Sequence, residues 1–253
     1  MSHHKLEANN LHFIYPDGHK AINGLNFKIH HGESVGIIGA NGAGKSTLLL
    51  LLMGVLLPSD GEIIVGDIPL TKKTLSMIRQ RMGMVFQNPD DQLFMSTVYD
   101  DVAFAPRNYG LDEKEVAKRV TDALDMVGIQ HLKDRAPFKL SGGEKRAAAI
   151  ATVLSTQPDI LIMDEPTASL DPKSRRKVMR ILESFDHTKI ITSHDLDMVY
   201  ELCKRTIVIK NGEIVADGAT TEILLNEELM NKCGLELPPT IQSCPVCGIS
   251  KKA

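Results

Sequence analysis

A chain of 253 residues, 43% hydrophobic and 24% charged with a formal net charge of −3, has the composition of a globular protein with room for a sizeable core. It lacks the basic excess of a nucleic-acid surface, so nucleic acid is not expected as a main partner. Four cysteines are too few for a disulfide framework, the polar start MSHHKLEANN has no apolar signal core, and the most apolar run, LLLLLMGVLL at 48–57, is about half a membrane span; a cytoplasmic chain is the expectation.

In chain order, LEANNLHFIY and AINGLNFKIHHGE within the first 32 residues alternate and are punctuated by turns, which predicts an antiparallel edge sheet. SVGII at 34–38 reads as a buried strand and LLLLLMGVLL as a buried helix. GMVF at 83–86, ILIM at 160–163 and TKIIT at 188–192 are further buried strands, separated by helical stretches at 112–127, 143–156 and 172–185. Such an alternation predicts a mostly parallel sheet covered on both faces. KRTIVIKNGEIVADG, 204–218, reads as a hairpin turning at Asn211-Gly212. Beyond 220 the pattern is helical until LPPTIQSCPVCGISKKA, the least globular stretch.

Between the first buried strand and the helix after it lies GANGAGKS, which is Gly39, Ala40, Asn41, Gly42, Ala43, Gly44, Lys45 and Ser46, followed by Thr47. Its four fixed positions would arise by chance in roughly one chain in a hundred of this length. Small residues let backbone N–H groups approach phosphates, and the helix N-terminus favours anions. The pattern reads as a phosphate-binding loop, in which Lys45 is expected on the β- and γ-phosphates and Ser46 on Mg²⁺. ILIMDE at 160–165 ends a buried strand in two acids. Asp164 is expected to hold Mg²⁺ and Glu165 to accept the proton of the attacking water.

KLSGGEKRAAAIA at 139–151 is a capped helix start after a glycine turn. With the phosphate loop and the acidic strand end, it makes the chain resemble the ATP-binding-cassette ATPases over residues 5–220. The resemblance implies an α/β P-loop NTPase fold with a mostly parallel core sheet, an N-terminal antiparallel β subdomain and a helical signature subdomain. The domain would span 1–225, with the helical part at about 88–156, and 226–253 would be a short C-terminal extension. In that family the signature, here Ser141, Gly142, Gly143 and Glu144, acts on ATP held by a second ATPase subunit, so each chain carries two half-sites. By the same resemblance Gln87 senses Mg²⁺ and the attacking water, Ser169 and Asp171 of ASLD link the two sites, His194 contacts the γ-phosphate and Tyr15 stacks on adenine. Glu144 departs from the glutamine common in the family, and activity is expected to survive the change.

Of the functions such ATPases drive, transport fits best. The interval from Gln87 to the signature is too short for a long coiled-coil insertion, and the chain has one cassette. QNPDDQLFMSTVYDDVAFAPRNYGL resembles the energy-coupling-factor group, which implies partnership with an integral-membrane coupling subunit and a substrate-binding membrane subunit at the cytoplasmic face of the membrane. Asp90, Asp91 and Phe94 are the expected docking residues, the acids for an arginine and the phenylalanine for apolar contact. RAPFKLSGGEKRAAAIATVLS, FDHTKIITSHDLDM and CGLELPPTIQSCPVC look most like the cobalt and nickel branch, with vitamin uptake the alternative. Cys244 and Cys247, a lone C-x-x-C, would be half of a tetrahedral Zn²⁺ site that lacks two ligands, so a redox-silent thiol pair is the preferred reading and zinc the alternative. His3, His4, His12, His19, His30 and His31 are scattered over a terminus, strands and a turn, a poor pattern for a metal site.

Overall fold

The computed structural model describes residues 6–242. Among them are two compact units, one from the described residues up to 75 together with those from 188 onward, and the other from 76–187. The first begins with β1 (Leu6–Ile14), β2 (Lys20–Ile29), β3 (Ser34–Ile38), α1 (Lys45–Leu52), β4 (Asp60–Val65) and β5 (Ile68–Pro69). The second starts within α2 (Leu75–Arg81), from its second residue, and continues with β6 (Met82–Val85), α3 (Val98–Asn108), α4 (Glu113–Met126), α5 (Gly142–Leu154), β7 (Ile160–Asp164) and α6 (Pro172–Glu183). The chain then returns to the first unit with β8 (Thr188–Thr192), α7 (Leu196–Leu202), β9 (Arg205–Lys210), β10 (Glu213–Ala219), α8 (Thr220–Leu224) and α9 (Glu227–Lys232).

In the first unit the alternating β1 pairs antiparallel with β2 and β4, and β5 follows on β4. β3 is buried at all five positions and pairs in parallel with both β8 and β9. That is the environment an unbroken apolar strand requires, because a strand interior to a parallel sheet has no solvated face. β10 runs antiparallel to β9. Asn211 and Gly212 between them both adopt positive φ, 51° and 76°, as a tight hairpin turn demands. This turn also braces the phosphate loop: Gly212 N donates to Ala43 O at 3.0 Å, and Asn23 N donates to Gly212 O at 2.8 Å.

The helix expected over 48–57 is displaced. It starts at Lys45 and stops at Leu52 because Gly54 turns left-handed at φ 62°, while Val55 N closes back on Leu50 O at 2.9 Å. Val55 is exposed and Leu57 marginally so. An apolar run is thus helix for its first half only.

In the second unit β6 and β7 pair in parallel, Met82 opposite Ile160 through Val85 opposite Met163. Ile160, Leu161, Ile162 and Met163 are fully buried, each contributing about 1.5–3 kcal/mol as an upper estimate. The small residues Ala147, Ala148, Ala149 and Ala151 are all buried on α5. A Cβ on Gly83 would stand 2.1 Å from Val153 Cγ1, so β6 and α5 approach as closely as a glycine permits. Thr97, Asp112, Ser141 and Asp171 cap α3, α4, α5 and α6 through their side chains.

Candidate functional site: a nucleotide loop, an acidic strand end and a capped signature helix

In the first unit the loop at 39–46 runs from the end of β3 to the start of α1. A Cβ on Gly39 would lie 2.2 Å from Ile209 O, and one on Gly44 would lie 2.5 Å from Ala21 O; Gly44 also has φ 105°. Both glycines are therefore demanded by the protein's own packing, independently of any ligand. Asn41, Gly42 and Ser46 are exposed, and Ala43 is buried. Lys45 is buried, its ammonium donating to Gly39 O at 2.7 Å and to Ala40 O at 3.2 Å. The same ammonium is 3.3 Å from His194 Nε2; since an ammonium only donates, Nε2 accepts. Tyr15 Oη lies 3.0 Å from Thr47 Oγ1, with its ring edge-on to Phe13 at 4.9 Å and stacked with His19 at 6.2 Å. The unit thus gathers Tyr15, residues 39–47 and His194, scattered in sequence, at one helix N-terminus whose amides favour anions.

In the second unit Asp164 and Glu165 sit at the end of β7, both buried. Glu165 has φ 47° and Ser169 φ 60°. A side-chain-bearing residue held there costs on the order of 1–3 kcal/mol, and such strain gathers at functional sites. Ser141 and Glu144 form a reciprocal capping box. Glu144 Oε2 accepts from Ser141 N and from Ser141 Oγ, both at 2.7 Å, and Ser141 Oγ accepts from Glu144 N at 3.4 Å. These bonds hold the Glu144 carboxyl below its ordinary range, so the box stays charged through neutral and mildly acid pH and loosens only as pH falls through that lowered value. Gly143 is a packing glycine, since its Cβ would stand 2.2 Å from Ser174 Oγ. Asp171 caps α6 with Oδ1 on Lys173 N and Ser174 N, and Ser174 Oγ donates to its Oδ2. A cavity of about 420 Å³ is lined by Gln87, Asp90, Gly142, Arg146 and Ser169, and a second of about 600 Å³ by Ser141, Gly143, Glu144, Asp171 and Lys177.

Residues 22–168 match the family described as ABC transporter. The chain belongs to that family. A putative ABC transporter ATP-binding protein of Geobacter sulfurreducens is 59% identical over 248 residues, covering 98% of this chain and 100% of that one. The energy-coupling factor transporter ATP-binding protein EcfA of Methanothermobacter thermautotrophicus is 45% identical over 240 residues, 93% of this chain and 77% of that one. Among solved structures, cbiO1 from Clostridium perfringens, part of the ABC transporter complex cbiONQ, has a TM-score of 0.81 and 40% identity, covering 93% of this chain and 96% of that one. A dimeric ATP-binding cassette bound to ADP and Pi in a post-hydrolysis state has a TM-score of 0.77 and 28% identity, covering 85% and 98%. This is an α/β P-loop ATPase of the energy-coupling-factor group, hydrolysing ATP in support of transport.

In this ABC ATPase the residues after Gln87 are ordered by side chains that local sequence patterns did not single out. Asn88 caps the short 3-10 turn Pro89–Asp91. Gln92 Oε1 accepts from Phe86 N at 3.1 Å, while its amide donates to Ala149 O at 2.8 Å and Thr152 Oγ1 at 2.7 Å. Asp90, expected as a docking acid, already carries an internal cation, with Lys145 Nζ at 2.6 Å. Asp91 is exposed. Phe94 is 64% exposed and makes an edge-to-face pair with the exposed Phe104 at 5.0 Å.

The loop bearing Phe94 hangs on a buried carboxylate. Asp101, 3% exposed on α3, accepts from Phe94 N at 2.9 Å and Met95 N at 3.0 Å through Oδ1, while Oδ2 has no hydrogen-bond partner. Burial raises its pKa, against the lowering effect of the two amide bonds. A carboxyl whose folded pKa is raised binds its proton more tightly in the folded state, so its contribution to stability declines as pH rises from the ordinary carboxylate range through the raised value. Asp101→Asn keeps the acceptor without the charge. Its stability relative to wild type should therefore improve on going from acid to neutral pH. Asp101→Ala strands two amides and should lose about 2–3 kcal/mol at acid pH, and less at neutral pH, where the wild-type carboxylate is itself less favourable. Urea unfolding at acid and neutral pH checks both.

Cys244 and Cys247, with His3 and His4, lie outside the described residues. Cys203 and Cys233 are buried thiols, and burial pushes Cys203 up to about 12, which makes it a packing residue. Among the described residues no group of three or more His, Cys, Asp or Glu side chains could hold a metal ion. No helix among them is long and apolar enough to cross a membrane. A further side chain the sequence reading missed is Arg146, buried on α5.

Proposed function

We propose that this ABC ATPase is the ATP-binding subunit of an importer for cobalt or nickel ions. The support is its 40% identity to cbiO1, part of the complex cbiONQ, joined by the three segments that resemble the cobalt and nickel branch. Two copies, or this chain and a related ATPase, would close over two ATP molecules. On each, Tyr15 holds adenine, residues 39–47 hold the phosphates, and Ser141, Gly142, Gly143 and Glu144 of the other subunit complete the site. Ser46, Asp164 and Gln87 offer oxygen donors only, the hard set that Mg²⁺ takes; the ion would supply charge neutralisation on the phosphates. Glu165 accepts the proton of the attacking water and His194 orients the γ-phosphate, so hydrolysis rests on positioning and electrostatics. Ser169 and Asp171 join the two half-sites. Closure and reopening are transmitted to an integral-membrane coupling subunit, beside a substrate-binding subunit, at the cytoplasmic face.

The test is uptake of radiolabelled cobalt and nickel by cells expressing the chain with the membrane proteins encoded beside its gene. ATP-dependent metal uptake is expected. Uptake of a vitamin without metal transport would assign the chain to the vitamin branch instead.

Docking is proposed at Asp91 and Phe94, with Asp90 beside them. Because reversing Asp90 would also break its pair with Lys145, Asp91→Arg is the cleaner probe. It should lower assembly with the membrane subunit and transport by at least about tenfold, while MgATP binding stays within about twofold. Unchanged assembly and transport would leave Asp91 an ordinary solvated acid.

A further inference from the structure

Arg146 is 2% exposed, the largest of the fully buried side chains among the described residues. It lies on the second turn of α5, five residues past the signature serine. Its Nη1 donates to Phe86 O at 2.7 Å and its Nη2 donates to Gln87 O, while Nε has no hydrogen-bond partner. Both accepting carbonyls belong to the segment in which β6 ends and the Gln87 loop starts. Burial alone lowers the pKa of the guanidinium, and the Asp164 carboxylate opposes that shift. One buried cation therefore bonds the backbone that carries Gln87 and senses the charge at the end of β7.

Burying a guanidinium is expensive unless its bonds are made, and an arginine is suited to a paired acceptor because its fork is planar and rigid. Two adjacent carbonyls matched to two arms of one fork fix the orientation of the peptide between them. The peptide linking Phe86 and Gln87 cannot rotate without giving up at least one bond. Lys145, the preceding residue, pairs with Asp90 three positions further along the same loop. The loop is thus held to α5 at both ends, firmly at Arg146 and at the surface by Lys145, where an exposed ion pair adds little.

We propose that Arg146 is the positioning residue for hydrolysis: it locks the Gln87 peptide to the signature helix, so that Gln87 and Ser141 keep one fixed relation throughout the cycle. The inference rests on the role proposed above for Gln87. It assigns a function to a residue that need not touch nucleotide, and it separates Arg146 from Lys145, whose removal should change hydrolysis little.

The test is a double-mutant cycle on the purified chain, reading kcat and KM for ATP, nucleotide affinity by fluorescent ATP analogue, and Tm. Arg146→Lys keeps the charge but has one nitrogen, so it can satisfy the two carbonyls only poorly. It should lower kcat by about tenfold or more while ATP affinity moves less than about threefold. Arg146→Met, which removes the charge, should be at least as slow. In a Gln87→Ala background Arg146→Lys should add little further loss, because residues acting through one another are non-additive. Full additivity, or an unchanged kcat in Arg146→Lys, overturns the proposal. So does a collapse of Tm in both arginine variants, which would make the residue architectural. If Gln87→Ala itself leaves kcat unchanged, it is the role of Gln87 that fails, whatever Arg146 does.

Discussion

Glu165→Gln is expected to lower ATP turnover by about 10²- to 10⁴-fold, the range for removal of a general base, while ATP still binds. β7 delivers Glu165 to the end of a fully buried strand, and the residue is 7% exposed. Its backbone is held at φ 47°, so the direction of the side chain is set by the chain and not by rotamer choice alone. Glutamine is isosteric and can occupy the same place, but its amide cannot take a proton from water. Binding and hydrolysis should therefore separate. ATP should accumulate on the protein, and gel filtration with ATP should show a dimer that persists instead of dispersing. Asp164, one residue earlier and equally buried, is expected to behave differently: Asp164→Asn should weaken the Mg²⁺ dependence of binding as well as turnover. If Glu165→Gln hydrolyses ATP at the wild-type rate, another group is the base.

Gly39→Ala is expected to lower ATP affinity by at least about tenfold and to reduce Tm. The added methyl would stand 2.2 Å from Ile209 O and 3.1 Å from Ala43 Cβ. Ile209 belongs to β9, which pairs with both β3 and β10, so that carbonyl cannot retreat without breaking a sheet. The loop must move instead. Gly39 O is also the acceptor 2.7 Å from the Lys45 ammonium, so displacement of residue 39 carries the lysine with it. Overpacking of this kind costs about 1–3 kcal/mol, or a Tm lower by roughly 2–12 °C for a chain of this size. Gly218→Ala is the control. Its Cβ would meet only Ile223 Cδ1 at 3.9 Å, and nucleotide binding should be unchanged. Calorimetry with titration of a non-hydrolysable ATP analogue measures both effects; wild-type affinity in Gly39→Ala would show that the loop accommodates a side chain.

The elements that were legible in the chain are those whose signal is contiguous. β3 and β7 are largely apolar runs without alternation, β8 is centred on the adjacent Ile190 and Ile191, and α4, α5 and α6 begin at Asp112, Ser141 and Asp171, each capping its own helix within three residues. α3 was not legible. Its sequence VYDDVAFAPRN holds two adjacent acids and Pro106, and it is stabilised from outside: Val98 N and Tyr99 N donate to Arg135 O and Lys133 O, and Ser155 Oγ donates to Val102 O. The overlong helix expected at 48–57 failed for the opposite reason. Hydrophobicity continued past Gly54, but backbone conformation did not.

That the chain binds ATP and belongs to the ABC transporter family can be read from its residues, because a phosphate loop, an acidic strand end and a signature helix are short motifs whose chemistry is carried by neighbouring residues. How those motifs are held depends on contacts between distant residues. Lys45 reaches His194 across 149 positions, Arg146 grips carbonyls 59 and 60 positions upstream, and Gln92 binds α5 from 57 and 60 positions away. Partners so distant leave no periodicity or spacing to read, since the pairing exists only once the sheet and helices have brought them within hydrogen-bonding range.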